Sequence, residues 1–372
     1  MSEFPRPKAA EFFAGIGLAR EGLRRGGVDV TWSNDLSPKK AYIYERIFGS
    51  GSTHELVLGD VRNVRASDLP VPFDIAWSSF PCTDLSVAGT RAGLAGVASS
   101  AFWPFIKVIA ELADNRPPIL VLENVHGFAV GANGEDLRTA IRALNDIGYS
   151  VDVLTINALH FLPQSRPRLF LIAVKLESET AKNHVVEVDE SLRPAWLLRI
   201  LSDPSLKTHA FDLPKLPALK TNGFTNIATE SDGLDPQWWT DVQVSAFLHS
   251  LSPLQSSRLT VLMHGDLTQY RTAYRRMRSG SATWEVRRED VAGCLRASQG
   301  GSSRQAVVRT GQGSVSIRWM MPWEYSALMG MPEFDFRDLS PSLVQAAFGD
   351  AVAVPVVEWL TINYILPVIS AP

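Results

Sequence analysis

The sequence predicts an α/β protein built on a doubly wound, mostly parallel sheet, followed by a second, smaller and irregular domain. Three observations point there. Short apolar runs alternate with amphipathic stretches through the first half of the chain. A glycine turn after the first run is followed 20 residues later by an acid that closes the second. Near residue 186 the alternation stops, and short segments with Pro, Gly, Ser and Trp take over.

The elements follow in order. "AAEFFAGIGLAREGLRRGG" (9–27) starts as a strand and turns on Gly15 and Gly17. It continues as an amphipathic helix with Leu18 and Leu23 inward, ending at Gly26-Gly27. "VDVTWSND" (28–35) is a second strand, closing on Asp35. "ELVLGDV" (55–61), with Asp60 at its end, is a third, "FDIAW" (73–77) a fourth and "PPILVLENV" (117–125) a fifth. Helical stretches at 37–48, 101–114 and 135–147 separate them. The spacing from Gly15 to Asp35 suits an acid placed on a ribose hydroxyl. Arg20 stands where a dinucleotide fingerprint has its third glycine, which favours an adenosine ligand without a pyrophosphate: S-adenosylmethionine over NAD.

Composition bounds the class. The chain has 372 residues, 45% hydrophobic and 20% charged, enough for two domains with a substantial core. The N-terminus has no apolar run behind a basic start, and no uninterrupted apolar stretch approaches 18 residues, so neither a secretory signal nor a membrane span is expected. Cys82 and Cys294 are the only cysteines; they make no disulfide framework and suggest no metal site, which fits a reducing, cytoplasmic setting.

Four polar features should converge on one edge of the sheet. These are the glycine turn, Pro81-Cys82 in "WSSFPCTDLSVAG" (77–89), Glu123-Asn124-Val125, and Gln164-x-Arg166-x-Arg168. Cys82 follows a proline at a strand end among Ser, Thr and Asp, the setting of a reactive thiol rather than a core one. Cys294 reads as structural.

With those residues the chain resembles the DNA cytosine-5 methyltransferase family. "FFAGIG" resembles its cofactor loop, "FPCTDLSVAG" its nucleophile loop, "LENV" its catalytic glutamate motif and "PQSRPRLFLIAV" (163–174) its Q-x-R-x-R strand. "RWMMPWEYSALMGMPE" (318–333) and "AFGDAVAVPVVEWL" (347–360) resemble its last two blocks. The resemblance implies a methyltransferase fold and S-adenosylmethionine as cofactor. The chemistry agrees: carbon 5 of cytosine is a poor nucleophile until a thiolate adds at carbon 6. Cys82 takes that role, with Arg166 as the candidate to supply an electropositive surround and hold the cytosine carbonyl, and Arg168 in support. Glu123, partly desolvated at the end of an apolar strand, shares or donates a proton at ring nitrogen 3, and Asn124 braces the loop. The base that removes the carbon-5 proton is not assigned.

For the cofactor, the resemblance implies that Phe13 packs on the adenine, that Gly15 and Gly17 admit the methionine portion, that Asp35 takes the ribose, and that Asp60 with Val61 reads the adenine edge. Phe102, Asp350 and Val352 complete that set. The chain departs from the family pattern at Glu11 (aspartate in many members), Asp350 (asparagine in many), Ser100-Ala101 and Thr83.

The second half should read DNA. Between 258 and 309 stand ten arginines, four acids and no lysine, a net of +6 that leaves −9 on the rest of a chain of net −3. Such a patch is an electrostatic footprint for phosphates, and arginine also suits bidentate reading of guanine. "YRRMRSG" (274–280), with Arg275, Arg276 and Arg278, and "LRASQGGSSRQ" (295–305), with Ser302, Ser303, Arg304 and Gln305, are placed against DNA. Ser86 and Arg91 in a lid over 83–96, and Gln164, join them. The target base must be flipped out of the duplex, at a cost of roughly a few kcal/mol. The expected organisation is a catalytic and cofactor-binding domain at 1–185, target recognition at 186–334 and a returning segment at 335–372. The expected partner is double-stranded DNA, with a cognate restriction endonuclease acting separately and the monomer as default. The rival readings are a tRNA cytosine-5 methyltransferase and a non-catalytic DNA-binding protein on the same scaffold.

Overall fold

The computed structural model describes residues 5–49, 53–81, 101–175, 189–232, 237–278, 281–297 and 304–370. The chain divides into two compact units, Met1–Asn157 with Pro167–Leu216 and Val354–Pro372, and Ala158–Arg166 with Pro217–Ala353.

The first unit holds strands β1 (Lys8–Phe12), β2 (Asp29–Asp35), β3 (Glu55–Leu58), β4 (Ile75–Ser78), β5 (Ile119–Val125), β6 (Ser150–Asn157) and β7 (Pro167–Val174). They form one sheet in the order β3-β2-β1-β4-β5-β7-β6, in which only β7 runs antiparallel to its neighbours. The expected doubly wound, mostly parallel sheet is present. The chain steps outward from β1 to β3 and then returns to β4 on the other side of β1. The carboxyl ends of β1 and β4 therefore flank the point where strand order reverses, where this class of sheet binds ligands.

Period-2 alternation sorts each strand between two layers. Ala10 and Phe12 of β1 face a core with Phe105 of the helix α3 (Phe102–Glu111), which Phe12 meets edge-on at 5.0 Å. Glu11 faces the opposite layer, toward α1 (Leu18–Gly26). The helix Val354–Leu360 packs on α1, and glycine is required there. A Cβ at Gly22 would lie 2.4 Å from Val357 Cβ, and one at Gly26 2.4 Å from Thr361 Cβ.

The segment after β7 behaves differently from its composition. Residues 189–216, expected in the recognition domain, group with the first unit because β6 would otherwise be an open sheet edge. Val151 N–H donates to Lys207 O (3.0 Å), His209 N–H to Val151 O (3.2 Å) and Thr155 N–H to Leu192 O (2.8 Å). Beneath them Arg193 forks onto the fully buried Asp152, with Nε donating to Oδ1 at 2.9 Å. Tyr364 donates to Asp152 Oδ2 at 3.0 Å.

The second unit, expected to be irregular, contains a regular antiparallel sheet. Its strands are β8 (Gln269–Arg278), β9 (Ser281–Val286), β10 (Ala306–Gly311) and β11 (Ser314–Trp319), in the order β11-β10-β8-β9. The arginine-rich "QYRTAYRRMR" hides the strand period, because apolar residues occupy one face only sparsely. That face closes a core of Phe247, Leu259, Ala273, Trp284, Val308 and Ile317. Inside the unit, Arg318 and Glu324 form a buried fork-to-fork ion pair, both bonds 2.8 Å. Within the C-terminal helices between Pro341 and Ser370, one 18-residue window is long and apolar enough to cross a membrane, and half of that window is buried within the protein.

Candidate active site

At the carboxyl end of β1 the chain turns through three left-handed residues, Phe13 (φ 57°), Gly15 (60°) and Gly17 (79°). The two glycines serve different ends. A Cβ on Gly17 would lie 2.4 Å from Phe48 Cε2 and 2.7 Å from Tyr44 Cε2, so Gly17 seats the loop on the helix α2 (Pro38–Phe48). A Cβ on Gly15 would meet nothing within 4 Å among the described residues, so Gly15 faces open space there. Its N–H donates to Asp35 Oδ2 at 2.8 Å, while Asp35 Oδ1 accepts from Ser37 N–H at 2.8 Å. Asp35 thus pins the glycine loop to the end of β2. A carboxylate offers about four acceptor sites, and these two bonds leave capacity for a ligand's hydroxyls.

Sequence reasoning missed Asn34, whose amide donates to Val57 O (2.9 Å) and Gly59 O (3.0 Å) and draws the end of β3 against β2. Nothing local in the sequence signals that clasp. Asp60 then caps the turn Val61–Asn63 through Arg62 N–H (2.9 Å) and pairs with the Arg62 guanidinium (3.3 Å). Val61 is buried. Phe102, expected against the cofactor, is instead fully buried in the core between Phe80 (5.5 Å) and Trp103 (5.0 Å).

Behind the loop lies a buried polar cluster. Glu11 accepts from Arg20 N–H (3.3 Å) near the start of α1, where the N-cap is Gly17 and has no side chain, and from Ser33 Oγ (3.1 Å). Ser33 and Tyr44 both meet His54 Nε2 at 3.0 Å. Burial raises the Glu11 carboxyl to about 7, with the bonds from Ser33 and Arg20 opposing it, and burial lowers His54 to about 4.

The second constellation closes β4 and β5. Cys82, Ser86 and Arg91 lie outside the described residues; the chain leading to Cys82 is described as far as Pro81. Asn124 donates to Phe80 O (3.2 Å) and accepts from Val125 N–H (2.8 Å), so the strand end carrying Glu123 anchors the approach to Cys82. Glu123, 6% exposed, pairs with Arg168 Nε at 3.0 Å. The antiparallel register explains the meeting: Arg168 stands opposite Val125, diagonal to Glu123 on the same face.

Arg166 is placed elsewhere. Expected on the cytosine carbonyl, it is 1% exposed and its guanidinium donates to Leu295 O (2.8 Å), Gly349 O (3.0 Å), Ala351 O and Cys294 Sγ (3.4 Å), fastening segments of the second unit. Gln164, expected on DNA, is fully buried. It donates to Leu328 O (2.6 Å) and accepts from Leu295 N–H (3.1 Å). Gln305 likewise turns inward, exchanging bonds with Gly293 N–H (3.2 Å) and Gly293 O (3.1 Å). In each case a buried backbone group needs a partner, and the side chain supplies it. Asp350 ends the helix Pro341–Asp350 and Val352 is buried, both in the second unit. Arg276 is exposed and pairs with Glu285 (3.3 Å), whereas Arg275 and Arg304 lie over tryptophan rings. Ser302, Ser303 and the side chain of Arg278 lie outside the described residues.

Comparison with known proteins then decides the family. Residues 8–364 match the model of the C-5 cytosine-specific DNA methylases. The chain belongs to that family. The methylase is 26% identical over 359 residues to the type II methyltransferase M.Bsp6I of Bacillus sp. (strain RFL6), covering 95% of this chain and 97% of that one. It is 30% identical over 231 residues to the type II methyltransferase M.NgoBI of Neisseria gonorrhoeae, covering 59% and 69%. Among solved structures its fold is similar to that of the S. pombe Dnmt2 methyltransferase, with a TM-score of 0.60 at 17% identity over 98% of this chain and all of the other.

As a C-5 cytosine DNA methyltransferase the protein belongs to a family that draws its methyl group from S-adenosylmethionine, and the residues present fit that group. Among the described residues, Gly15 opens on a space that a side chain would enter, the Asp35 and Asp60 carboxylates stand at adjacent strand ends, and Ser78 Oγ at the end of β4 is buried without a hydrogen-bond partner. An adenosine with a cationic sulfonium needs such acceptors and such room.

Proposed function

We propose that the protein methylates carbon 5 of cytosine within one specific duplex DNA sequence, with the base turned out of the helix and Cys82 bonded transiently to carbon 6. The observation that carries this reading is Asn124: one side chain joins the strand end bearing Glu123 to the Phe80 carbonyl two residues ahead of Cys82. The approach to the nucleophile and the strand end bearing the proton donor therefore share an anchor.

The Cys82 thiolate adds to carbon 6, and the ring electrons move onto carbon 5 and nitrogen 3. Glu123 holds a proton at nitrogen 3 as that charge develops, its carboxyl oriented by Arg168. Arg168, beside the carboxylate, takes the electropositive role, while Arg166 keeps the second unit's backbone in place. S-adenosylmethionine, when bound, supplies an electrophilic methyl group. The loop at Phe13, Gly15 and Gly17, with Asp35, Asp60 and Val61, would hold it. Once carbon 5 carries the methyl group, loss of its proton to a base expels Cys82 and restores the aromatic ring. Relatives named type II methyltransferases support placing the protein in a restriction-modification pair, with an endonuclease acting separately on the same sequence.

Duplex oligonucleotides in which 5-fluorocytosine replaces cytosine test the reading, because fluorine cannot leave as the proton does. With methyl donor present, a complex stable in denaturant is expected, and Cys82→Ala should abolish it. Trapping on tRNA but not on duplex DNA would move the substrate to RNA. Absence of trapping on both, with binding intact, would leave a non-catalytic DNA-binding protein.

A further inference from the structure

The Phe13–Gly17 turn is held at two points. Asp35 fixes it at Gly15. At Gly17 it rests on the edge of the Tyr44 ring, where an added Cβ would lie 2.7 Å from Cε2. Gly17 is also the N-cap of α1, so one residue ends the turn and starts the helix. Tyr44 is 1% exposed, so it acts on a ligand only through what it touches. Its hydroxyl lies 2.8 Å from Ser33 Oγ on β2 and 3.0 Å from Nε2 of His54, the residue before β3. Arg20 of α1 donates to it from Nη1 at 3.2 Å, and it reaches Glu11 Oε2 on β1 at 3.5 Å. One oxygen on α2 thus gathers groups from α1, β1, β2 and the start of β3. Arg20, standing where a dinucleotide fingerprint has a glycine, lies over the Phe48 ring, 4.2 Å from its centroid. It therefore spans from α1 to both aromatic residues that back Gly17.

We propose that Tyr44 is a positioning residue for the methyl donor: the bonds to its hydroxyl fix the ring against Gly17, and Gly17 sets the posture of the turn that receives the donor. The inference rests on the reading that the Phe13–Gly17 turn holds S-adenosylmethionine. A phenol hangs from its helix on two rotatable bonds, and its ring edge moves with them. Packing on Phe48, with ring centroids 4.9 Å apart, confines the ring on one side. The hydroxyl's partners fix how far it reaches toward β1 and β2. A turn already in its bound shape loses less freedom when the ligand arrives, which raises affinity without an added contact. Removing the hydroxyl deprives Ser33, His54 and Arg20 of a shared buried partner, and these groups can replace it only by moving. Gly15 is two residues from Gly17, so the shift reaches the residue that faces open space. The sequence does not show this arrangement, because residues 11, 20, 33, 44 and 54 meet only when three strands and two helices are packed.

Calorimetric titration of the full-length protein with S-adenosylmethionine is the test, read as Kd and as sites per chain. Tyr44→Phe should raise Kd by about 3- to 10-fold, the range of one net hydrogen bond, with the number of sites per chain kept. Arg20→Met keeps a stem over Phe48 and removes the fork, and it should weaken binding in the same direction. Arg20→Lys restores a donor and should recover part of that loss. These two variants carry the test if Tyr44→Phe does not fold. Tyr42→Phe makes the same change on the same helix at a ring 49% exposed, and as the control it should keep the wild-type Kd. A wild-type Kd in both Tyr44→Phe and Arg20→Met would overturn the proposal. So would fewer sites per chain at an unchanged Kd, since a purely structural residue lowers the folded fraction and leaves the surviving sites intact. Equal weakening in Tyr42→Phe would overturn it too, by making the effect one of the whole helix. If the wild type takes up no S-adenosylmethionine, the cofactor reading itself fails, and the first titration shows this before any variant is made.

Discussion

Acid should loosen the first unit in part through His209, one of its histidines that burial holds neutral. His209 sits against the edge of β6, its Nδ1 3.0 Å from Ser150 Oγ and its Nε2 3.0 Å from Tyr364 Oη. Tyr364 gives its own proton to Asp152, so Nε2 carries the hydrogen and donates to the Tyr364 oxygen, while Nδ1 accepts from Ser150. Burial holds the ring neutral and lowers its pKa from 6.5 to about 4; nearby Asp152 opposes the shift, and Arg193 adds to it. A histidine depressed in the folded state gives stability that is complete above pH 6.5 and is lost as pH falls toward 4, because only the unfolded chain binds the proton in that window. The full window of roughly 2.5 pH units corresponds to about 3 kcal/mol, and a drop from pH 7.5 to pH 5 removes about 2 kcal/mol of it. His209→Gln keeps a donor and an acceptor but cannot titrate. Urea unfolding at both pH values, followed by tryptophan fluorescence, should show the wild type losing about 2 kcal/mol more than the variant. Equal losses in the two proteins would refute the reasoning, since the acid sensitivity would then lie elsewhere.

Other consequences can be checked alongside. Glu11, raised to about 7, has the opposite sign: its stabilisation is complete below the ordinary carboxylate range and is lost as pH rises through 7. Glu11→Gln should therefore remove up to about 3 kcal/mol of the decline between pH 4.5 and pH 8, read from the same urea curves. Gly22→Ala drives a methyl group onto Val357 and Val354 O and should cost about 1–3 kcal/mol of unfolding free energy through overpacking. Asp35→Asn cannot accept from both Gly15 and Ser37 with a full carboxylate. Calorimetric titration should show S-adenosylmethionine binding weakened by about tenfold, equivalent to about 1.4 kcal/mol. Arg168→Met leaves Glu123 buried without its ion-pair partner, and kcat should fall by about 100-fold or more while cofactor affinity is kept.

Where the sequence was legible, the signal was local and periodic. Strands β1 to β5 are short apolar runs whose period and boundaries a reader can mark, and Gly15 to Asp35 is a spacing that one strand–helix–strand unit imposes. The meeting of Glu123 with Asn124 and the start of the Cys82 loop follows from motif order alone. The arginine strands of the second unit were not legible as a sheet, because only one face of each is apolar and that face is thin.

By itself, then, the amino-acid order determined the layered α/β class and the concentration of positive charge in the second half. Which arginine does what was decided only by the tertiary structure. Arg166 and Arg168 are two residues apart and chemically identical. One is consumed by the carbonyls of Leu295, Gly349 and Ala351, and the other reaches Glu123 across an antiparallel pair. The same holds for Gln164 and Gln305, whose amides serve buried backbone groups. The physical reason is that a polar side chain's role is fixed by whichever unsatisfied partner the folded chain brings within about 3 Å, and for Arg166 and Gln164 those partners come from segments more than a hundred residues away.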